Sequence, residues 1–160
     1  MRNRGMDWTA AVAMAGVLAG ARIVAAETGP GASAIVPVAR RVVVSIPDRT
    51  LALIVNDEVV RVYAVSVGKP STPSPVGTFT IVNRVANPTY YKPGTVIAPG
   101  GSNPIGTRWL GLSLKGYGIH GTDAPSSIGH ARSHGCIRLR NRDVEHLFEQ
   151  LRPGDVVEIR

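Results

Sequence analysis

Short β-branched runs separated by turn residues are the feature that most limits how this chain can fold. "RVVVSIP" and "TLALIVN" are divided by Pro47-Asp48-Arg49, and "VVRVYAVSVG" follows a polar turn at 56–58. Runs of this kind, bounded by turn residues, are typical of β-strands. A β-hairpin is therefore predicted between the second and third runs, joined by the turn at 56–58. In segment 61–67 apolar residues occupy both alternating positions, which predicts a strand largely covered on both faces.

The rest of the chain keeps this turn-rich character. Strands are predicted from Thr78 to Val82, at "WLGLSL", at "YGIH" and at the closing "DVVEIR", and the 18 glycines and 12 prolines disfavour a helical bundle. The proline-rich loop "GKPSTPSPV" between two strands is predicted to form the wall of a site. Residues 87–108 have little periodicity, and a loop of this length in a compact domain is usually functional. We expect this loop to form an ordered cover over a cleft.

One helix is predicted near the C-terminus. Asn141 is placed as its N-cap and Asp143 in its first turn, and Pro153-Gly154 stops it. Its apolar residues follow the i, i+3, i+4, i+7 spacing: Val144, Leu147, Phe148 and Leu151. Together, these predicted strands and the helix indicate a single, mainly β domain over residues 41–160.

The N-terminus resembles an export signal. Arg2 and Arg4 precede an uncharged stretch from Trp8 to Ala21, and small residues follow near position 25. We predict a signal peptide over 1–26, with an uncleaved anchor or a buried N-terminal helix as alternatives, and a linker over 27–40. The stretch is too short to span a bilayer. The formal net charge of +7 favours an anionic partner such as a cell-wall polymer, while the low aromatic content of 5% argues against nucleic acid.

Cys136 is the only cysteine, so an internal disulfide is impossible. A thiol that attacks carbonyls needs a lowered pKa, from a nearby imidazole or backbone N–H groups. His120 ends a predicted strand 16 residues earlier, and Gly135 lets a substrate backbone approach the thiol. Backbone N–H groups near Gly135 can hold an oxyanion, and Arg138 can bind a substrate carboxylate.

Two other interpretations stay open on spacing alone. His120, His134 and Cys136, with Asp123, would be an acceptable zinc set, although His134 and Cys136 are unusually close. The second of these interpretations is that Cys136 is a buried, inert side chain. His146 is predicted to face solvent, and His130, in a polar loop, is predicted to have no chemical role.

The segment "IHGTDAPSSIGHARSHGCIRLRNRDV" resembles the signature of the L,D-transpeptidase catalytic domain family (YkuD type). The matching pieces are His120-Gly121 and Ser133-His134-Gly135-Cys136, and the resemblance extends over residues 41–160. It implies a compact β-sandwich of mixed sheets with a long lid loop.

The resemblance also implies roles for the motif residues. Cys136 would be the nucleophile and His120 its base, oriented by the backbone carbonyl of Gly121. The backbone around His134, Gly135 and Cys136 would form the oxyanion hole. Ser133 would have a supporting role, and Arg138 is our candidate for substrate binding.

The family implies peptidoglycan stem peptides as donor and acceptor, in the periplasm or cell envelope. The enzyme would cut a tetrapeptide stem at its L,D bond, release D-alanine and form a 3→3 cross-link, as a monomer with neither cofactor nor metal. An L,D-carboxypeptidase, or an enzyme that attaches or releases an envelope protein, would share the acyl-enzyme. A zinc peptidase and an inactive cell-wall-binding module are the remaining alternatives.

Overall fold

The computed structural model describes residues 38–160. The predicted signal peptide (1–26) and all but the last three residues of the predicted linker (27–40) lie outside the described residues. Within residues 38–160, no helix is long and apolar enough to cross a membrane.

Eight strands form one mixed sheet: β1 Arg40–Ser45, β2 Thr50–Val55, β3 Glu58–Ala64, β5 Gly77–Ala86, β8 Arg108–Leu112, β9 Gly118–His120, β11 Ile137–Arg138 and β12 Val156–Ile159. Their order across the sheet is β11-β9-β8-β5-β12-β1-β2-β3. Two of its pairs are parallel, β1 with β12 and β9 with β11, and the others are antiparallel. Two small pairs complete the β-structure: β4 Val67–Gly68 with β10 Ala131–Ser133, and β6 Tyr90–Lys92 with β7 Thr95–Ile97. The predicted mainly β, mixed-sheet fold is confirmed.

The hairpin between β2 and β3 forms where it was predicted. Asn56 and Asp57 both adopt positive φ, 50° and 64°, which matches the twist of a two-residue hairpin turn. The covered strand predicted for 61–67 is wrong in its first half. Strand β3 is the edge of the sheet, and Val60 and Val62 are 53% and 57% exposed. Tyr63 is buried but Ala64 is exposed, so burial of both faces begins only at Val65.

A single α-helix, α1, spans Asn141–Gln150 within the described residues. Val144, Leu147 and Leu151 are fully buried in the core that the sheet and the helix share. The predicted N-cap is wrong, because Arg140 is the N-cap and makes no side-chain capping bond. Asn141 is already helical, so its side chain is available for other contacts.

The long loop at 87–107, which we call the lid, has more structure than predicted. It contains the hairpin of β6 and β7. Asn103, a residue of the lid, is fully buried, and its side-chain nitrogen lies 2.8 Å from the carbonyl oxygen of Pro88 and 3.2 Å from that of Ala98. Its side-chain oxygen accepts from the amide of Ile105 at 3.0 Å. Asn103 thereby ties both ends of the lid together.

Candidate active site

A cleft of about 770 Å³ lies between the lid and the ends of β9 and β11. Tyr90, Tyr91 and Ile105 line it from the lid. The opposite side is lined by four residues that the sequence singled out: His120, His134, Cys136 and Arg138. The parallel pairing of β9 with β11 explains this meeting, because it sets Arg138 opposite His120 and brings Cys136 to the start of β11.

His120 is the last residue of β9 and is only 4% exposed. Its Nδ1 lies 2.6 Å from the carbonyl oxygen of Gly121. A carbonyl oxygen can only accept, so Nδ1 carries the hydrogen and Nε2 is left with its lone pair. The Trp109 ring stacks on the imidazole at 5.6 Å between centroids and an interplanar angle of 19°. The indole Nε1 in turn donates to Asn83 Oδ1 at 3.1 Å.

Burial keeps His120 neutral. Loss of hydration lowers its pKa from 6.5 to about 4, and the positive charge of Arg138 acts in the same direction. The hydrogen bond to Gly121 favours the protonated ring but is outweighed. At neutral pH the ring is therefore unprotonated and can accept a proton, and once protonated it is a stronger acid than an ordinary imidazolium.

Cys136 is partly exposed, with Sγ 3.8 Å from the carbonyl oxygen of Gly116. Burial raises the pKa of its thiol, while a backbone hydrogen bond at Gly118 and the charge of Arg138 lower it. The lowered pKa expected for a nucleophile is thus wrong for the resting protein, because desolvation of the thiolate exceeds both stabilising contributions. The resting pair is a thiol and a neutral imidazole.

Ser133 holds the turn that carries Cys136. Its buried hydroxyl donates to the carbonyl oxygen of Cys136 at 2.6 Å and accepts from the amide of Gly135 at 3.0 Å. Gly135 adopts φ +113°, and a Cβ there would lie 2.8 Å from the Tyr117 ring. The proline-rich loop packs behind this turn, where Thr72 Oγ1 donates to the carbonyl oxygen of Ser133 at 3.3 Å.

This turn reduces the number of backbone amides that can form the predicted oxyanion hole. The Gly135 amide is occupied by Ser133 Oγ, so it is not free for a substrate oxygen. Within the described residues, the amides of His134 and Cys136 donate to no protein acceptor. These two N–H groups remain as candidate donors, while the His134 side chain is exposed.

Arg138 is anchored by its backbone, and its half-buried side chain has no ion-pair partner among residues 38–160. Its amide donates to the carbonyl oxygen of Ser66 at 2.9 Å, and the Ser66 amide donates back at 2.8 Å. The ion pairs found among residues 38–160 lie elsewhere, and the Arg138 Nε is buried without a partner. A guanidinium in this state can bind a carboxylate that enters the cleft.

Other predicted residues fall outside the cleft. Asp123 is exposed, and among residues 38–160 no three His, Cys, Asp or Glu side chains come together as metal ligands. His130 is exposed. The prediction for His146 is wrong, since it is half-buried and its Nδ1 lies 2.5 Å from the hydroxyl oxygen of Tyr63.

Three site residues were missed or left undecided by the sequence. Trp109 could have been core or cleft, and Asn83 carried no signal. Asn141 was assigned to the helix start, yet its Oδ1 accepts from the amides of Thr107 at 3.3 Å and Thr122 at 3.1 Å. These partners are 34 and 19 residues away, beyond the reach of a local pattern.

Acid is expected to destabilise the protein through His120. Because its folded pKa of about 4 lies below the ordinary 6.5, only the unfolded chain takes up the proton between these pH values. The resulting loss in the free energy of unfolding is small at pH 7 and above, grows as the pH falls, and amounts to roughly 2 to 3 kcal/mol at pH 4.5. Urea denaturation at pH 7.5 and 4.5 should show a loss smaller by about this amount in His120→Gln. Exposed His130→Gln should keep the full loss, and equal losses in all three proteins would contradict the assignment.

Comparison with known proteins matches the chain to one family. The family model described as the L,D-transpeptidase catalytic domain (YkuD) matches residues 39–159. A Bacillus licheniformis protein named as an L,D-transpeptidase of the YkuD type is 44% identical over 140 residues, covering 83% of this chain and 77% of its own. A Bacillus subtilis protein of the same name is 41% identical over 145 residues, with 91% and 78% covered.

Solved structures of L,D-transpeptidases also resemble this fold. A solved L,D-transpeptidase from Mycobacterium smegmatis superposes with a TM-score of 0.65 at 25% identity, covering 77% of this chain. The chain spans 59% of that solved protein, which is less than two thirds of its length.

Proposed function

The chain belongs to the L,D-transpeptidase (YkuD-type) catalytic domain family, and on this basis we propose that it is an exported cysteine acyltransferase of peptidoglycan. One observation carries the proposal. Cys136 shares a cleft with a neutral His120 whose Nδ1 is held by the Gly121 carbonyl oxygen at 2.6 Å, so that Nε2 is the free base. A nucleophile, a base and an orienting group are the parts that covalent acyl transfer requires.

The first half-reaction follows from these groups. Cys136 Sγ attacks the carbonyl carbon of the L,D bond between the diamino acid and D-alanine, and the thiol proton passes to His120 Nε2. The amides of His134 and Cys136 hold the oxyanion of the tetrahedral intermediate. The C–N bond then breaks, the imidazolium protonates the leaving amine of D-alanine, and a thioester remains. A conjugate acid with a pKa of about 4 donates this proton readily.

The second half-reaction returns the enzyme to its starting state. The side-chain amine of a second stem peptide attacks the thioester carbonyl and loses a proton to His120. The thiolate leaves and takes that proton back, so no net proton is gained or lost by the enzyme. The product is a 3→3 cross-link. If water replaces the amine, the same steps give an L,D-carboxypeptidase.

The acceptor is identified by incubating the full chain with a disaccharide-tetrapeptide and weighing the products. We expect a cross-linked dimer together with free D-alanine. Tripeptide without dimer would make the protein a carboxypeptidase. An unchanged substrate would favour a cell-wall-binding module and overturn the proposal. Cys136→Ala, treated identically, shows the background.

Arg138 is expected to contribute both a positive charge and a bidentate contact with a substrate carboxylate. Its positive charge lowers the pKa of Cys136 and of His120, so Arg138→Gln should raise both. The midpoint of Cys136 alkylation by iodoacetamide should therefore move to higher pH in Arg138→Gln and stay in place in Arg138→Lys, which keeps the charge.

Both Arg138 variants should lose about 10- to 100-fold in kcat/KM for the stem peptide, since lysine cannot bind a carboxylate bidentately. An unchanged alkylation midpoint in Arg138→Gln would refute the electrostatic role. An unchanged kcat/KM in Arg138→Lys would refute the bidentate contact.

A further inference from the structure

The feature that the mechanism leaves unused is Asn141, the first residue of α1. Its side-chain oxygen accepts from the amide of Thr122, which directly follows Gly121. The Gly121 carbonyl and the Thr122 amide belong to the same peptide group. That carbonyl accepts the hydrogen of His120 Nδ1 at 2.6 Å. One peptide group is therefore held at its oxygen by the histidine and at its nitrogen by the asparagine.

The peptide groups described here are trans, so the C=O and N–H of this one point in opposite directions. The contacts then form a chain from His120 Nδ1–H to the Gly121 oxygen, and from the Thr122 N–H to Asn141 Oδ1. Hydrogen bonds in series polarise one another, which strengthens the carbonyl as an acceptor. Rotating this peptide would withdraw the carbonyl from Nδ1.

The surroundings are shaped to admit the asparagine oxygen. A Cβ on Gly106 would lie 2.2 Å from Asn141 Oδ1, and a Cβ on Gly121 would lie 2.1 Å from it. The same oxygen accepts from Thr107 at the end of the lid. Asn141 thus joins the lid and the segment after His120 to a rigid helix start.

Backbone bonds hold the peptide group between His120 and Gly121, whereas the next peptide group, between Gly121 and Thr122, is held by side chains. The His120 carbonyl accepts from Leu139 at 2.9 Å, and the Gly121 amide donates to Arg108 at 3.1 Å. Among the described residues, Asn141 Oδ1 is the acceptor that the structure gives to the Thr122 amide. Without it, a buried amide loses its partner and the peptide is released to turn.

We propose that Asn141 is a positioning residue, which fixes His120 for proton transfer through the Gly121–Thr122 peptide group. This inference rests on the proposed function for its catalytic consequence. The orientation itself, however, is a property of the free protein. The role resembles that of a carboxylate that orients a catalytic histidine, with a peptide group placed between the two side chains.

The test uses Asn141→Leu, which removes the acceptor at similar size, and Asn141→Asp, which keeps it. Arg142→Leu, an exposed neighbour in the same helical turn, is the matched control. Asn141→Leu should lower kcat for acyl transfer by about 10- to 100-fold with KM within about threefold. Asn141→Asp should recover most of kcat. Its added negative charge should raise the pKa of His120 and move the acid limb of the rate profile to higher pH.

A readout without substrate separates this inference from the proposed function. The proton on His120 Nδ1 should give a downfield NMR signal in the wild type, Asn141→Asp and Arg142→Leu, and that signal should shift or vanish in Asn141→Leu. This result supports positioning even if no stem peptide is turned over. An unaltered signal in a folded Asn141→Leu, as judged by circular dichroism, would overturn the inference. Equal loss of kcat in Asn141→Asp and Asn141→Leu would also overturn it, by assigning Asn141 a merely structural role.

Discussion

Cys136→Ala is expected to lose acyl transfer by at least about 10⁴-fold while keeping its fold, because removal of a nucleophile leaves only binding and oxyanion stabilisation. The side chain is partly exposed, and the Ser133 contacts that shape its turn go to backbone atoms. Alanine therefore leaves the turn intact, and thermal unfolding should change little. The measurement is intact mass after incubation with donor peptide, where the wild type should gain a thioester-linked acyl group.

Cys136→Ser is the informative partner of this variant. Serine retains a hydroxyl of similar size, but its proton is far harder to remove than that of a thiol, so the same base activates it much less. We expect this variant to be nearly as inactive as alanine. Since the chain has one cysteine, iodoacetamide should label the wild type once and neither variant. An acyl adduct on Cys136→Ala would place the nucleophile elsewhere and contradict the proposed mechanism.

The parts of the fold that sequence could predict are those governed by local pattern. The β-branched runs became β1, β2 and β12, because strand preference and the turn residues that bound a strand depend only on neighbours along the chain. The hairpin turn at Asn56 and Asp57 is equally local. The exposure of β3 was not predictable in this way. Its valines resemble those of a covered strand, and only the order of the sheet makes it an edge.

The motif located the site, but its hydrogen bonds depend on the tertiary structure. His120 and Cys136 line one cleft because β9 and β11 pair in parallel. The Gly135 amide donates to Ser133 Oγ because of the conformation of a four-residue turn. The contact of Asn141 with Thr122 depends on how the helix start meets β9, and no spacing rule anticipates it. The individual catalytic roles stay predictions for the variants to test.

The pKa balance was the least predictable property, because burial and charge act on both groups of the pair. From sequence, a neighbouring imidazole was expected to activate the thiol by lowering its pKa. The structure instead buries His120 in neutral form and raises the pKa of Cys136. Activation must then accompany attack, with the proton moving to Nε2 as the sulfur approaches the carbonyl.

His120→Gln provides the second large effect and tests this order of events. Without the base, transfer of the thiol proton and protonation of the leaving amine both fail. We expect kcat/KM for acylation to fall by roughly 10²- to 10⁴-fold. Because His120 is neutral above about pH 4, it contributes no charge that stabilises the resting thiolate. The midpoint of iodoacetamide alkylation against pH should therefore remain close to that of the wild type.

The two rates should thus separate, since acylation depends on His120 as a base whereas simple alkylation follows the thiol pKa. Exposed His130→Gln is the matched control and should change neither rate. A rise in the alkylation midpoint of more than about one pH unit in His120→Gln would mean that a thiolate–imidazolium pair already exists at rest. In that case the charge of the imidazolium, and not proton transfer during attack, would activate Cys136. An alkylation midpoint that stays in place while acylation collapses would establish that the base acts only once substrate has entered the cleft.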